Sequence, residues 1–385
     1  MIKNVFLKNL LINSVFKLFS NANQVIPKNN HQILIYSDLG FRDNVKYLYD
    51  YLISEKYNDY YKIICSVKGH EKFVASAPKN VKFVNPFEGI KYYFQSGHVF
   101  YCFGKLPIRI GKKQNVIQMW HGTSFKGFAT NMTNTSSKAD QFYSYVYSSS
   151  DYFQPIVKKK FNCSDEKIIV CGHPRTDVFY QKNPKYDLGE FKKIIMWMPT
   201  FRKSKFLGQN DGFQQNVVPF LKDDELKRFD KYLSDIDVKV IVKLHPMQDI
   251  KRINTSSFHN LILMTNDYFE SKGYDLYRFL KCTDALITDY SSVFYDYLLL
   301  NRPIGFTEDD VDEYKNSRGF AVDPEKFRPG MKIKSINDLK KFIENVVANN
   351  DEFENSRVKI NNLSNRFQDG HNCQRTLEIS GIHKS

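Results

Sequence analysis

The chain has 385 residues, 42% of them hydrophobic, and its 56 Lys and Arg against 42 Asp and Glu give a formal net charge of +14. This length is too great for one ordinary domain, and the hydrophobic share is enough for two sizeable cores, so we expect two domains. The positive charge would suit nucleic acid, an anionic membrane or a phosphorylated substrate. Codon bias in an AT-rich genome would also produce it, so charge alone does not choose among these partners.

The six cysteines are scattered along the chain, and none stands in a C-x-x-C pair. Several lie inside apolar segments, where a free cysteine behaves as a small hydrophobe, so we expect a reducing, cytoplasmic compartment. Cys163, Cys171 and His173 are close in the sequence, but one precedes and two follow a predicted strand. We therefore predict no metal site. The opening residues also lack the continuous apolar core and the cleavage site of a secretory signal.

Residues 1–25 form an amphipathic N-terminal segment. Apolar residues from Val5 to Phe19 interleave with Lys3, Lys8 and Lys17 in a roughly helical rhythm. No run approaches the roughly 20 apolar residues that a bilayer span requires. The segment fits a basic helix in the interface of an anionic membrane, or equally a helix packed on the neighbouring domain. We expect the protein to be at most peripheral to a membrane.

After a polar break at 21–30, strand-like and helix-like segments alternate. The helices include 44–54 and 152–161. The predicted strands are 33–36, 61–67, 81–84, 98–103, 116–120, 145–148 and 168–171. Strands and helices in turn predict a parallel sheet covered on both faces, so we predict a Rossmann-like domain over 26–185.

The same alternation returns beyond the polar stretch at 181–190. The helices lie near 224–233, 274–281 and 291–300. The predicted strands are 194–198, 238–244, 261–264, 285–288 and 303–306. This pattern predicts a second Rossmann-like domain over 190–350 and a helical tail over 351–385. The fold class is therefore α/β, with two facing Rossmann-like domains and a cleft between them.

Polar residues follow several predicted strands directly. They are His121, Thr200, His245 and the run 289–292. Ligands of open parallel sheets collect at the carboxyl ends of the strands. In 285–293 an apolar strand runs into hydroxyl residues at a helix start, where free backbone N–H groups favour a phosphate. These positions together indicate an enzyme that handles a diphosphate.

His121 and His245 are the candidate catalytic residues. Imidazole titrates near neutral pH, which suits a general base or a group that faces a phosphate. Each of the two follows a predicted strand and precedes a residue that shapes a turn, Gly122 or Pro246. Of the other seven histidines, only His173 has a comparable position.

Cations and hydroxyls near the strand ends are candidate ligands of a diphosphate. A guanidinium binds phosphate oxygens through two parallel hydrogen bonds, which favours Arg202 after the strand 194–198. Lys126, Arg175, Lys243 and Arg318 lie in similar turns. Ser291 and Ser292 fit either phosphate ligands or helix caps, and the two roles are compatible. No P-loop or G-x-G-x-x-G motif is present, so the sequence supports neither a P-loop ATPase nor a dinucleotide dehydrogenase.

Seven segments resemble the CDP-glycerol glycerophosphotransferase family of teichoic-acid and related capsule synthesis, in the family's order. They are 118–123 (QMWHGT) with Lys126, 172–177 (GHPRTD), 198–202 (MPTFR), 243–246 (KLHP), 286–293 (LITDYSSV) with Asp296 and Tyr297, 301–303 (NRP), and 318–320 (RGF). The resemblance covers roughly residues 30–375. Ser124 and Phe125 stand where the family often has Pro-Leu, and Phe201 replaces a common Trp, which leaves the acceptor and the polyol open.

The resemblance implies a GT-B fold, with an acceptor-side N-terminal domain and the nucleotide held mainly by the C-terminal one. It implies transfer of a polyol phosphate, most simply glycerol phosphate, from a CDP-activated donor to a lipid-linked acceptor, with release of CMP. His121 would be the base, acting with His245. The donor-binding residues implied are Thr123, Arg175, Thr200, Arg202, Lys243, Asp289, Ser291, Ser292 and Arg318.

The implied partners are a CDP-polyol donor, a lipid-linked glycan or polyol-phosphate acceptor, and an anionic membrane surface at its cytoplasmic face. No acidic metal-binding motif stands out, so protein groups would neutralise the developing charge, and we predict no obligatory metal or cofactor. No RNA-binding aromatic motif is apparent, and we predict no nucleic-acid partner.

Two other functional classes remain. A GT-B glycosyltransferase that uses a nucleotide sugar would show the same residues at the strand ends. A basic, non-catalytic binding protein would account for the charge and leave the two histidines unexplained. Within the family, the sequence leaves open glycerol or ribitol, teichoic acid or capsule, and priming or polymerisation.

Overall fold

A computed structural model describes residues 5–127, 139–199, 203–204, 209–210, 218–222, 224–244, 258–308 and 319–384, with side chains except at 5–13, 139, 203–204, 209–210 and 266. The chain divides into two compact units. The first contains Met1–Gly122, Asn134–Asp177 and Arg366–Ser385, and the second contains Thr123–Thr133 and Val178–Asn365.

The first unit is built on a seven-stranded sheet. Its strands are β1 (Asn29–Ser37), β2 (Lys62–Val67), β3 (Val81–Val84), β4 (Ser96–Tyr101), β5 (Asn115–Gln118), β6 (Tyr145–Ser148) and β7 (Ile168–Val170). The order is β3-β2-β1-β4-β5-β6-β7, and every pairing is parallel. The carboxyl ends of all seven strands therefore lie along one edge, where β5 leads into the turn that carries His121.

Helices cover this sheet. They are α1 (Val5–Val25), α2 (Asn44–Ser54), α3 (Glu71–Val74), α4 (Pro86–Gln95), α5 (Gln154–Phe161) and, from the end of the chain, α13 (Asn372–Ile379). The start of α2 is capped by Asp43, whose carboxylate accepts a hydrogen bond from the Asn44 N–H at 2.8 Å. Asn85 caps α4 by accepting hydrogen bonds from the N–H groups of Phe87 and Glu88, with Pro86 at the first helical position. The start of α4 is thus a typical helix start, whereas the cap of α2 has an unusual backbone conformation.

The second half of α1 packs on the first unit. Phe16 and Phe19 contact its apolar core, and the buried Asn23 side chain donates to the Arg109 carbonyl at 2.7 Å and to Gln114 at 2.9 Å. Leu18 and Val25 on the same helix are 69% and 79% exposed. No helix in the described ranges combines the length and the apolarity needed to cross a bilayer.

The last helix, α13, completes the first unit. The Asp177 carboxylate accepts hydrogen bonds from the N–H groups of Asn372 (2.9 Å) and Cys373 (2.7 Å) at the helix start. Cys373 and Leu377 are buried in the core beside β1 and β2. Residues at opposite ends of the chain thus share one hydrophobic core.

The second unit holds a six-stranded sheet and a small hairpin. The sheet strands are β8 (Lys193–Met198), β11 (Val238–Lys243), β12 (Leu261–Met264), β13 (Ala285–Thr288), β14 (Ile304–Thr307) and β15 (Met331–Ile333), and the hairpin is β9 (Lys203–Ser204) with β10 (Gln209–Asn210). The sheet order is β12-β11-β8-β13-β14-β15, again with all pairings parallel.

Seven helices of the second unit are described. They are α6 (Leu226–Asp235), α7 (Asn266–Ser271), α8 (Leu276–Leu280), α9 (Val293–Tyr297), α10 (Pro324–Phe327), α11 (Ile336–Val347) and α12 (Glu354–Ser364). The fully buried Trp197 of β8 lies in a core cluster with apolar residues of α6 and α11. This cluster gives the second unit its own hydrophobic core.

The predicted α/β class with two Rossmann-like sheets is confirmed. All twelve predicted strands are present with bounds that differ by at most three or four residues, and α2 coincides with the predicted 44–54. Two differences stand out. β15 was not predicted, because three residues with a central lysine give little alternation, and the predicted helix 291–300 is a short α9 followed by a 3-10 turn, Leu298–Leu300.

Candidate active site

The turn after β5 positions His121. The Gln118 side-chain oxygen accepts a hydrogen bond from the Trp120 N–H at 3.0 Å. Trp120 has a φ of 58°, a conformation that costs a bulky residue about 1–3 kcal/mol. Gly122 follows with a φ of 127°, which glycine adopts readily. The backbone therefore reverses sharply at the strand end, with His121 in the middle of the turn.

Two aromatic rings contact the His121 imidazole. Its centroid lies 4.9 Å from that of Phe103, with 21° between the ring planes, and 3.8 Å from that of Trp120. Buried Nδ1 has no hydrogen-bond partner among the described residues. The ring is held by this packing and by a hydrogen bond with the Cys102 backbone.

Burial lowers the pKa of His121 to about 4. The nearby Asp43 carboxylate favours the charged form, whereas Lys160 and Arg175 oppose it. An imidazole with this pKa is neutral at pH 7. That is the form a general base requires before it accepts a proton.

A buried ion pair holds the backbone of the turn. Arg175 Nη1 donates to Asp43 Oδ1 at 2.7 Å and to the His121 carbonyl at 2.9 Å. Burial by itself would raise the pKa of Asp43, but the Arg175 charge and the hydrogen bonds from the Arg175 guanidinium and the Asn44 N–H hold it below the usual value. Asp43 has a φ of 62°, so this residue too is held in an unfavourable backbone conformation. Arg175 connects the start of α2 to the turn after β5.

Asn44 supports the same turn from the first residue of α2. Its side-chain amide donates to the Trp120 carbonyl at 2.7 Å and lies 3.3 Å from His173 Nδ1. Its side-chain oxygen accepts from the Arg175 N–H at 3.2 Å. Burial and the Arg175 charge lower the pKa of His173 to about 3, so this ring is neutral as well.

In the second unit, several polar residues share the carboxyl edge of the sheet. Lys243 ends β11, and Asp289 follows β13 directly. The Thr288 hydroxyl donates to the Met198 carbonyl at 3.0 Å, which joins the ends of β13 and β8. Thr200, Arg202 and His245 come just after β8 and β11 in the sequence, and they lie outside the described residues, as does Arg318.

The loop after β13 presents hydroxyl groups at its surface. Asp289 is fully buried and its carboxylate accepts from the Tyr290 N–H, while Ser291 and Ser292 are half-buried. Ser292 precedes α9 without a side-chain capping bond. The two serine side chains therefore lie at the sheet edge where a phosphate ligand was predicted.

A second buried ion pair lies near this loop. Arg328 pairs with Glu308, which follows β14, and its guanidinium carbon is 5.9 Å from the centroid of the Tyr290 ring. Both side chains of the pair are almost fully buried.

Residues 123–127, which follow His121 in the chain, belong to the second unit. Lys126 pairs with Phe320 in an isolated antiparallel bridge, and the Gly127 N–H donates to the Gly319 carbonyl at 2.8 Å. Phe125 is buried against Phe294 and Phe320, and Thr123 is buried beside it in the sequence.

Comparison with known proteins identifies the family. The model of the CDP-glycerol:poly(glycerophosphate) glycerophosphotransferase family matches residues 18–379. The chain belongs to this family.

Curated relatives of this glycerophosphotransferase-family chain act in teichoic acid synthesis. It is 28% identical to the teichoic acid poly(glycerol phosphate) polymerase of Staphylococcus epidermidis over 82% of its own length and 45% of the relative. It is 26% identical to the teichoic acid glycerol-phosphate transferase of Staphylococcus aureus over 98% of its length and 99% of the relative. The chain spans about half of the length of the first two polymerases it matches.

The fold of this family member is that of a solved relative. The structure of the wall teichoic acid polymerase TagF superposes with a TM-score of 0.75 over 97% of this chain and 95% of that chain, at 23% identity. The same polymerase has also been solved as a histidine variant soaked with CDPG. The expected GT-B-like class is thereby confirmed.

The structure brings some of the predicted site residues of this family member together. In the first unit His121 and Arg175 are in direct contact. In the second unit Lys243, Asp289, Ser291 and Ser292 lie at one sheet edge. Thr123 is buried, and Thr200, Arg202, His245 and Arg318 lie outside the described residues.

Sequence reasoning missed Asp43, Asn44 and the buried pair Glu308–Arg328. Asp43 was visible as a capping residue, because it directly precedes the predicted helix 44–54 after a strand. Asp43 and Arg175 are 132 positions apart in the sequence, and no local pattern predicts a contact over that separation.

Proposed function

We propose that this chain transfers a polyol phosphate from a CDP-activated donor to an acceptor hydroxyl and releases CMP. The proposal depends mainly on the state of His121. Its imidazole is neutral, it lies in a strained turn at the carboxyl end of β5, and Arg175 binds its backbone carbonyl. Membership of the glycerophosphotransferase family supports the reaction class.

His121 would act as the general base. The acceptor hydroxyl attacks the phosphorus that bears the polyol, and its proton passes to a neutral nitrogen of His121. The new bond joins the acceptor oxygen to phosphorus, and the bond from phosphorus to the CMP oxygen breaks. CMP leaves as a phosphate, so no strong general acid is required.

Groups of the second unit would hold the donor. Charge on the phosphoryl oxygens needs fixed cations and donors, and we assign this role to Lys243, Arg202, Arg318 and the hydroxyls of Ser291, Ser292 and Thr200, with His245 as the second catalytic imidazole. Asp289 and Thr123, both buried, would shape the loops that carry these groups. Because Arg175 is engaged by Asp43 and the His121 carbonyl, we assign it to positioning His121.

Glycerol is the polyol we favour. One relative that matches this chain nearly from end to end is a glycerol-phosphate transferase, and the solved polymerase was studied with CDPG. A CDP-ribitol donor is the alternative, because the second polymerase that the chain matches uses ribitol phosphate. We propose that no metal is obligatory: EDTA should leave turnover intact, and a loss that Mg²⁺ reverses would contradict this.

The acceptor would be lipid-linked and reached from the cytoplasmic face of a membrane. The first unit exposes Phe87 (86%) next to Ile90 and close to Phe19 and Ile26 of the α1 region, with Lys91 beside them. Exposed apolar side chains flanked by lysine suit an anionic lipid interface. Phe87→Ser should reduce the fraction of the protein that sediments with phosphatidylglycerol vesicles. Tyr268→Ser, at an exposed aromatic residue of the second unit, should leave that fraction unchanged. Equal effects of the two substitutions would contradict a lipid role for this surface.

The deciding experiment measures CMP release. The protein is incubated with CDP-glycerol or CDP-ribitol and a synthetic polyol-phosphate lipid acceptor, and product length is read by mass spectrometry. We expect CMP release with CDP-glycerol in the wild type, and a loss of at least a hundredfold in kcat for His121→Ala with an unchanged circular dichroism spectrum. Near-normal turnover of the variant would remove His121 as base. Turnover of a UDP-sugar instead would favour a GT-B glycosyltransferase.

A further inference from the structure

One buried side chain, that of Asn44, joins three segments of the first unit. Asn44 is the first residue of α2 and is fully buried. Its Nδ2 donates to the Trp120 carbonyl at 2.7 Å and lies 3.3 Å from Nδ1 of His173, while its Oδ1 accepts from the Arg175 N–H at 3.2 Å. The same carboxamide therefore connects the start of α2, the turn after β5 and the segment after β7.

The two backbone partners fix the orientation of the Asn44 carboxamide. A carbonyl only accepts and a backbone N–H only donates, so the nitrogen must face Trp120 and the oxygen must face Arg175. The second N–H of the carboxamide then faces Nδ1 of His173, which must therefore be the unprotonated ring nitrogen. Because His173 has a pKa of about 3 and is neutral, its proton is on Nε2.

This tautomer is not favoured by other contacts of the His173 ring. Nε2 is buried and has no hydrogen-bond partner among the residues that the structure describes, and a buried N–H without an acceptor is unfavourable. The contact with Asn44 therefore accounts for the position of the proton. Aspartate has the shape of asparagine, but its carboxylate donates no hydrogen bond, so it could not make the contacts with Trp120 and His173.

The turn that Asn44 contacts needs support. Trp120 has a φ of 58°, and such a conformation persists only where the surroundings hold it. The Trp120 carbonyl accepts from Asn44, and the carbonyl of the next residue, His121, accepts from Arg175 Nη1. The other group near the Trp120 carbonyl is the Cys102 thiol, a weak donor, at 3.2 Å. Loss of the carboxamide would therefore let the backbone relax and move the His121 ring.

We propose that Asn44 is a positioning residue of the transferase site, which keeps His173 in the Nε2–H form and holds the Trp120 turn so that His121 meets the acceptor hydroxyl. This inference rests on the proposed function. Asn44 is fully buried and acts through the turn, without contact to the substrate. Its loss should therefore affect the chemical step more than donor binding, which we assign to the second unit.

The tautomer of His173 is measured in the wild-type full chain. In nuclear magnetic resonance of ¹³C,¹⁵N-labelled histidine, the Cδ2 and ring nitrogen shifts distinguish the Nε2–H form from the Nδ1–H form, and His173→Gln assigns the resonances. We expect Nε2–H at neutral pH in the wild type. In Asn44→Asp, His173 should carry a proton on Nδ1, because it then faces a carboxylate. An Nδ1–H form in the wild type, or an unchanged tautomer in Asn44→Asp, would overturn the proposal.

The kinetic test compares two buried asparagines. With a soluble glycerol-phosphate acceptor, Asn44→Ala should lower kcat for CMP release about tenfold to a hundredfold, with KM for CDP-glycerol changed less than about twofold. Asn23→Ala is the matched control: Asn23 is also fully buried, donates to the Arg109 carbonyl and to Gln114, and accepts from Lys28, but Gln114 precedes β5 at its other end. It should lower stability to urea and leave kcat unchanged. Equal losses of kcat in the two variants would overturn the positioning role.

The position of His121 is followed without turnover in the same spectra. Its ring resonances should shift in Asn44→Ala and Asn44→Asp and stay in place in Asn23→Ala. Unchanged His121 resonances in both Asn44 variants would refute the proposal, even if the wild type releases CMP. The expected shifts in a wild type that releases no CMP would sustain the contact and refute the proposed reaction. If neither Asn44 variant folds, the wild-type tautomer of His173 decides.

Discussion

At the scale of single residues, the environment of His121 explains how a base can stay neutral in a positively charged site. Burial and the nearby cations lower its pKa, and Asp43 offsets only part of that effect. A bound anion would oppose the cations and make the imidazole a stronger base when substrate is present. The resting and the occupied site should therefore differ in basicity.

The pH dependence of the reaction follows from this pKa. Because His121 must be neutral, kcat/KM should be level at neutral pH and fall on the acid side near the pKa of about 4, while kcat should fall at a higher pH, since bound substrate raises that pKa. Initial rates of CMP release across the pH range measure the acid limb of kcat/KM and the acid limb of kcat. An acid limb of kcat/KM near the ordinary histidine value of about 6.5 would contradict the buried, neutral base.

Acid also lowers stability, and the two effects must be separated. His121 and His173 have folded-state pKa values below the unfolded value, so the unfolded chain binds more protons as the pH drops from about 6.5 towards the folded values of about 4 and about 3. The free energy of unfolding should therefore decrease as the pH falls through that window. Above the window, the contribution of the two neutral histidines to stability should be complete. Circular dichroism at each pH gives the folded fraction by which the rates are corrected.

The Asp43–Arg175 pair should be a large single contribution to stability in the first unit. Asp43→Asn leaves the Arg175 charge buried without its carboxylate, and breaking such a pair costs about 3–5 kcal/mol, with the lower end expected because Asp43 is partly exposed. Urea unfolding measures the change. The control is Asp151→Asn at the exposed contact with Arg366, 4.0 Å apart, which should change stability by less than about 0.5 kcal/mol. Equal effects would show that the buried pair has no special weight.

At the scale of elements, the site is organised by helices that begin close to the carboxyl ends of strands. Asp43 both caps α2 and binds Arg175, so the start of this helix is tied to the turn that carries His121. In the second unit α9 has only five residues, so we assign phosphate binding there to side chains more than to a helix dipole. The same sheet geometry thus supports different contacts in the two units.

The contact between Asp177 and α13 should decide whether the end of the chain stays in place. Asp177→Ala removes the acceptor of two buried N–H groups and should cost about 2–6 kcal/mol, at about 1–3 kcal/mol for each unsatisfied group. Limited trypsin digestion with mass spectrometry should then release the C-terminal peptide earlier than in wild type. Ser335→Ala, which removes the cap of α11, should cost about 1 kcal/mol without speeding that cleavage. Unchanged cleavage in Asp177→Ala would contradict the anchoring role.

At the scale of the whole molecule, two units with separate sheets and cores share one chain. The chain enters the second unit at Thr123, directly after the His121 turn, and its last residues return to the first unit. Each unit has one sheet edge with polar residues. The proposed reaction assigns the base to one edge and the donor groups to the other.

Donor binding should stabilise the protein by mass action. CDP at one hundred times its dissociation constant should raise stability by about 2.7 kcal/mol, seen as a higher unfolding temperature, while UDP at the same concentration should have a smaller effect. Hydrogen exchange should slow at residues 288–293. The Ser291→Ala Ser292→Ala variant should lose most of the CDP effect and keep the unfolding temperature of the free protein. Equal shifts with CDP and UDP would remove the preference for a cytidine donor.

The strands were predictable because both sheets are parallel and buried. Strands such as β4 and β13 are buried at every position, and they appear in the sequence as short apolar runs between polar turns. β15 escaped prediction because three residues carry too little pattern. The site was predictable where a residue directly follows a strand, as His121 and Asp289 do.

Local pattern by itself thus determined the two α/β halves, the strand ends and the family to which the chain belongs. Only the tertiary structure decided that Asp43 binds Arg175, that two cations contact the rings around His121, and that residues 366–385 complete the first core. The physical reason is distance along the chain. Strand and helix patterns depend on neighbouring residues, whereas ion pairs, ring contacts and core packing join residues that only folding brings together.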